Sequence, residues 1–345
     1  MATNSIVGHW ANLGEAQKLT QDMLLRGVVQ ETIETGFLTK MFPVTGVLGK
    51  QLTYNRESAL SSGRFFDIHE QRVWEASNTY SQVSVELKRV GHDALIDNFI
   101  AKTYANVNDY EAIKMKEVVK GTIRTVENEM VYGDVDNISA KGFDGLHALA
   151  SAQSGNLNID GAETAISLQD LRKMMIAAKV PQLGKSSCFW LCGREIGRRM
   201  SAYVQEAGQA VSNGFLSGIF TMGVDQFGMQ IQQFAGIPIV ETDFLVAEQL
   251  NTGLTTATSR DKRTSGTNGY SLFLIRAGSL EEGGVSMLMG TSGGIEGLFN
   301  VEFFDKLETV KDARGVSLTA YMALAQGSTN SIARLADVTD AAITA

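Results

Sequence analysis

The sequence predicts an α+β fold. Three stretches predict it: a helical rod at 108–132, clean two-residue alternation near residue 85, and helices interleaved with short strands from 155 to 295. Mixed elements over that last range suggest one compact α/β or α+β domain, with the rod and the alternating strands outside it.

Residues 14–40 are good helix formers, with Met23, Leu24, Val28, Val29 and Ile33 near helical spacing, so a helical arm is expected there. Pro43 ends it, because the residue before a proline is disfavoured in helix. The period then changes. "QLTYNR" alternates around Leu52 and Tyr54, and "SQVSVELKRV" alternates through Val83, Val85 and Leu87. Between them lies a polar stretch with Phe65, Phe66 and Trp74. Residues 48–90 therefore read as a long two-stranded excursion. A lone hairpin is marginal in water, so something must cover it. Leu52, Tyr54, Phe65, Phe66 and Trp74 are expected to be buried mainly against a neighbouring copy of the chain.

The rod has marked ends. Asn108 with Glu111 forms a capping-box-like start, and Gly133 is placed to stop the helix. Val119, Ile123, Val126 and Met130 form one apolar stripe, expected to face a sheet, with Lys114, Lys116 and Lys120 on other faces. Gly121 in mid-helix costs about 1 kcal/mol relative to Ala, which suggests close packing there. Downstream, "SLQDLRKMMIAAKV" is a helix with Ser167 as N-cap, "CFWLCG" a buried strand, and "REIGRRMSAYVQEAG" a second amphipathic helix. "FAGIPIVETD", "YSLFLIRAG" and "GVSMLMG" are further strands. The end, "GLFNVEFFDKLETV" with "DARGVSLTAYMALAQ", reads as a hairpin turning at Lys311–Gly315, followed by a small-residue tail.

Composition narrows the function. A chain of 345 residues exceeds the usual size of a single core, so two domains, or one core with extensions, are expected. Net charge −8 and pI about 5.2 argue against a dedicated polyanion binder, and no Lys/Arg run marks a nucleic-acid groove. Two cysteines give no disulfide framework and fit a reducing compartment. No run of about 18 apolar residues spans a membrane, and the N-terminus has no secretory apolar segment.

The candidate chemical motifs fail one by one. Cys188 and Cys192 lack a second ligand pair and read as core thiols. "DVDNISAKGFDG" places Ile138 and Ser139 where a calcium loop needs an oxygen ligand and a glycine. "GTSGGIEG" has glycines but no Lys-Ser/Thr end. The histidines, His9, His69, His92 and His147, are scattered, and no Ser stands in G-x-S-x-G. No catalytic, cofactor or metal site is expected. What remains is a protein of surfaces, whose arm, excursion and rod suit packing of copies on one another.

Taken in order, these segments resemble the major capsid protein of tailed bacteriophages, the Hong Kong 97 type shell fold. Residues 1–47 resemble its N-terminal arm, 48–90 its extended E-loop, and 91–154 its peripheral domain with the spine helix at 108–132. "GFDGLHAL" is similar to the short segment that follows the spine helix, and 155–295 to the axial domain, with "FAGIPIVETDFL" as a strand. "FFDKLETVKDARGVSLTAYMALAQGSTNSIARL", within 296–345, is similar to the return strands to the peripheral domain and the tail. The resemblance implies hexamers and pentamers forming an icosahedral virion capsid around double-stranded DNA. It also implies scaffolding, portal and cementing partners, and synthesis in the host cytoplasm. The family's N-terminal scaffolding extension is not recognised in this sequence, so the resemblance implies either a separate scaffold protein or a chain of mature length. A cellular nanocompartment shell of the encapsulin type shares the fold, but the long arm and E-loop favour a virus. A soluble oligomeric enzyme built on 155–295 is the remaining alternative.

Overall fold

The computed structural model describes residues 37–59, 65–71, 79–99, 110–135, 141–153, 157–180, 187–210, 220–224, 230–249, 269–291, 300–304 and 313–343. The arm expected at 14–36, Asn108 and Trp74 lie outside them.

Five helices are described: α1 (Phe37–Met41), α2 (Tyr110–Tyr132), α3 (Leu146–Ser151), α4 (Leu168–Ala177) and α5 (Arg194–Ala210). Strand β1 (Val44–Val47) follows α1, and a ribbon of β2 (Gln51–Ala59) and β3 (Thr79–Glu86) leads into β4 (Lys88–Asp97). Later come β5 (Asn158–Asp160), β6 (Cys188–Gly193), β7 (Phe220–Val224), β8 (Gln230–Phe234), β9 (Ile237–Thr242) and β10 (Tyr270–Arg276). The last are β11 (Val285–Gly290), β12 (Asn300–Phe304), β13 (Ala313–Gln326) and β14 (Ile332–Val338).

They build two sheets and the ribbon. In the five-stranded sheet β13 is central. It pairs antiparallel with β4 along one edge and with β12 and β11 along the other, and β1 adds parallel to β11. Helix α2 lies across this sheet. The seven-stranded sheet runs β5-β14-β10-β6-β9-β8-β7. Cys188, Trp190 and Cys192 point to one face, where Leu171, Met174, Ile196 and Met200 of α4 and α5 cover them. Phe189, Leu191, Phe273 and Ile275 point to the other, into a core shared with Leu38, Val126, Met130, Leu146 and Leu288. One continuous core thus joins the seven-stranded sheet to α2 and the smaller sheet.

Local signals hold where they are chemically specific. The Ser167 hydroxyl accepts from the Gln169 amide, 3.1 Å away, as an N-cap should. Ala235 and Gly236, both at positive φ, make the two-residue turn between β8 and β9, the geometry whose twist matches paired strands. Gly133 ends α2 for a different reason than expected. Its φ is not left-handed; instead a Cβ there would stand 2.2 Å from the Phe143 carbonyl, so glycine permits the chain to cross.

Four expectations are corrected. The buried stripe of α2 is Val118, Thr122, Val126 and Met130, while Val119 and Ile123 are half-buried. The buried arc is turned by roughly half a residue step, because α2 meets both the sheet and the shared core. A Cβ at Gly121 would stand 3.6 Å from the His92 ring, ordinary contact rather than a crush. Ala313–Gly315, expected in a turn, are already β13. Sheet membership also cuts across the expected boundary at 295: β11 belongs to the smaller sheet, and β14, read as a tail, is an inner strand of the larger one.

Candidate assembly interface

The ribbon begins as an ordinary antiparallel pair. Leu52 faces Val85, and Tyr54 faces Val83, so Leu52, Tyr54 and Arg56 share one side with Val83 and Val85. Thr53 and Ser84 share the other side, their hydroxyls 3.0 Å apart. The apolar side lies on the protein's own body. Leu52 and Val85 pack against the shared core. The Tyr54 hydroxyl donates to the Gln326 carbonyl at 2.5 Å, and Arg56 donates to the carbonyls of Gln326 (2.7 Å) and Gly327 (2.9 Å). These carbonyls stand where β13 ends, so the ribbon's donors tie it there to its own body. Burial holds the Tyr54 phenol above its usual range, which keeps it a neutral donor.

Charge fixes the root of the ribbon. Lys50 and Lys88 grip the two oxygens of Glu86 at 2.6 and 2.9 Å. Hydrogen bonds from both ammonium groups, Lys50 first, lower the Glu86 carboxyl to about 2. The group is exposed, so the pair orients the root more than it stabilises it.

Beyond Arg56 the ribbon leaves the body. Tyr80 is exposed, and at the far end Phe65 is fully exposed, with Phe66 and Ile68 also open. That end is nevertheless shaped: the Glu70 amide donates to the Asp67 carbonyl at 3.1 Å and the Asp67 amide to Glu70 Oε2 at 2.9 Å. The five residues expected at a subunit interface therefore divide. Leu52 and Tyr54 have partners in their own chain, Phe65 and Phe66 are presented outward, and Trp74 lies outside the described residues. Sequence reasoning missed Arg56 and Ile68. Ile68 carried a signal, an apolar residue in a polar stretch; the Arg56 clamp depends on carbonyls some 270 residues away.

Below the ribbon, a buried polar cluster ties α2, α3 and the seven-stranded sheet together. His147 lies between two oxygens, with Nδ1 2.7 Å from the Val131 carbonyl and Nε2 2.5 Å from Glu248 Oε1. Its ring stacks on Tyr132 at 4.6 Å and meets the Phe273 edge at 4.8 Å. Glu248 Oε2 accepts from Ser271 (2.8 Å) and Arg334 (3.0 Å). Burial pushes the His147 imidazole below its ordinary value, against the pull of Glu248. Burial raises the Glu248 carboxyl, but His147, Arg334 and Ser271 together bring it below the usual range. The cluster is closed to solvent, without an open position for a substrate. Cys188 and Cys192 are buried free thiols raised by burial, and unreactive on that account. Among the described residues, no group of three or more His, Cys, Asp or Glu stands ready for a metal ion, and no helix is long and apolar enough to cross a membrane.

No protein-family model matches the sequence, and no curated protein sequence does. Solved structures match from end to end. The holo encapsulin complex of Synechococcus elongatus superposes with TM-score 0.65 at 16% identity, covering 96% of both chains. The cyanophage A-1(L) capsid gives 0.64 at 11% identity over 93% of this chain and 98% of that one. The capsid of cyanophage P-SCSP1u gives 0.61 at 12% over 94% of both. The chain has the Hong Kong 97 type capsid shell fold. Phage capsids and an encapsulin share this Hong Kong 97 type architecture, so the likeness carries the shell fold and not its contents.

Proposed function

We propose that the chain is the structural subunit of a tailed-phage capsid, assembling as hexamers and pentamers into an icosahedral shell around double-stranded DNA, with scaffolding, portal and cementing partners. One observation carries the reading. The end-to-end likeness to shell proteins coincides with a ribbon rooted on its own subunit and presenting apolar residues outward. A side chain as exposed as Phe65 is costly in a lone subunit and useful between copies. In this reading 1–47 is the N-terminal arm and 48–90 the E-loop. Residues 91–154 hold the spine helix of the peripheral domain, 155–295 the axial domain, and 296–345 the return and tail, with β11 and β14 exchanged between the two sheets. No catalytic role is assigned.

The alternative is an encapsulin-like nanocompartment, favoured by the encapsulin superposition. An enzyme built on 155–295 has less support, since the neighbours are structural shell proteins. Electron microscopy of purified particles, with assay of their contents, tests all three. Shells filled with duplex DNA support the capsid, shells enclosing protein support the nanocompartment, and a small discrete oligomer overturns both.

A further inference from the structure

Charge on α2 and its sheet is laid out unevenly. Lys114 is paired with Glu117 at 2.8 Å, and Arg124 with Asp243 at 2.9 Å. Glu127 is buried, accepting from the Leu38 amide at 2.8 Å. Lys116 and Lys120 remain, without an ion-pair partner among the described residues. They stand four residues apart on the side of α2 turned away from the sheet, since Gly121, which meets the His92 ring of β4, and the buried Val118 and Thr122 take the other side. The opposite face of the sheet is mixed, with Arg89 exposed among carboxylates. Asp93, opposite Ser317 on β4, and Glu302, opposite Ser317 on β12, are both exposed there; Ser317 donates to Asp93 at 2.6 Å and Asn300 to Glu302 at 3.0 Å. In a chain of net charge −8, a stripe with residual positive charge runs against the average.

We infer that the outward side of α2 around Lys116 and Lys120 meets the phosphate backbone of duplex nucleic acid, and that the opposite face of the sheet is turned away from it. This rests on the shell reading, to which it adds which side faces the contents. Lysine is a mobile point charge that imposes no bidentate geometry, which suits contact without sequence preference. Four residues of helix rise about 6 Å and both side chains are long and mobile, so both ammonium groups can serve one strand. Two phosphate contacts imply a log–log salt slope of about −1.8 per copy, roughly a twelvefold loss of affinity between 50 and 200 mM salt.

The test uses the full chain, kept below the concentration at which it assembles, with a fluorescent random-sequence duplex of about 30 base pairs over that salt range. Wild type should bind with a slope steeper by about 1.8 than K116Q/K120Q, while D93N/E302Q should bind no more weakly than wild type. Wild type that does not bind, or an unchanged slope in K116Q/K120Q, overturns the inference, as does tighter binding to an acidic peptide than to the duplex. Microscopy of the same preparations at assembling concentration reads the shell assignment separately: shells with an unchanged slope sink only this inference, and no shells sinks the function above.

Discussion

The hydroxyl of Tyr54 donates to the main-chain carbonyl of Gln326 at 2.5 Å, and Arg56 donates to the same oxygen at 2.7 Å. Two side chains of the ribbon thus meet on one carbonyl at the end of β13. Y54F should cost about 1 kcal/mol, and R56A about 1.5–3 kcal/mol because its donor is charged. Since both serve one acceptor, the double variant should depart from additivity by at least about 0.5 kcal/mol in urea unfolding. Strict additivity would mean that the two bonds are not held together in solution.

The outer end of the ribbon should behave oppositely. Phe65 and Ile68 are exposed, so F65S/I68S should leave the melting temperature of the unassembled chain unchanged within about 2 °C. Shell yield by sedimentation should collapse. Deleting 58–76 should likewise leave a folded subunit unable to close a stable shell. If the deletion unfolds the chain, the segment belongs to the subunit's own core.

Much of this was legible because it is local. Alternation through Val83, Val85 and Leu87 found the ribbon, and Ser167 found a helix start. What stayed hidden is what depends on distant partners. β14 has all seven residues buried, so it shows no two-residue period, and Arg334 and Asp337 disguise it further. His147 looked like one scattered histidine because Glu248 lies 101 residues on. The α2 stripe was misplaced by a fraction of a turn because α2 meets both the sheet and the shared core, and contacts that distant leave no local signal. Accordingly V126D should cost about 1–2 kcal/mol more in urea unfolding than I123D, which sits at a half-buried position. Equal losses would restore the stripe that the sequence predicts.

The buried cluster makes stability pH-dependent. His147 has a folded-state value below its ordinary 6.5, so its contribution is present above 6.5 and is lost as pH falls. Glu248 lies below its ordinary 4.5, so its contribution is present above 4.5 and is lost as pH falls further. The melting temperature of the unassembled chain should fall from pH 7 to 5.5, and again below 4.5. H147Q should flatten the first limb, and R334M, which strands the Glu248 carboxylate, should cost about 3–5 kcal/mol at pH 7. A melting temperature that rises between pH 7 and 5.5 would show that the two oxygens flanking His147 outweigh burial and hold the ring as a cation.

A final expectation concerns how the proposed shell is held. Some shells of the resembled family are joined by an isopeptide bond between an E-loop lysine and an asparagine of a neighbour. Here residues 51–87 contain no lysine, only Arg56, Arg64 and Arg72. A guanidinium stays protonated and supplies no amine nucleophile. The flanking lysines, Lys50 and Lys88, sit at the root of the ribbon and share the Glu86 carboxylate, which raises the Lys50 ammonium above its ordinary value. An ammonium so held is farther from the free amine that an attack on an amide requires. Contacts between subunits should then be non-covalent: apolar burial, strand pairing and charged rims. Mature particles boiled in detergent should release a single band near 37.3 kDa. A ladder of pentamer- and hexamer-sized bands that survives reducing agent would require a cross-link from a residue outside the ribbon.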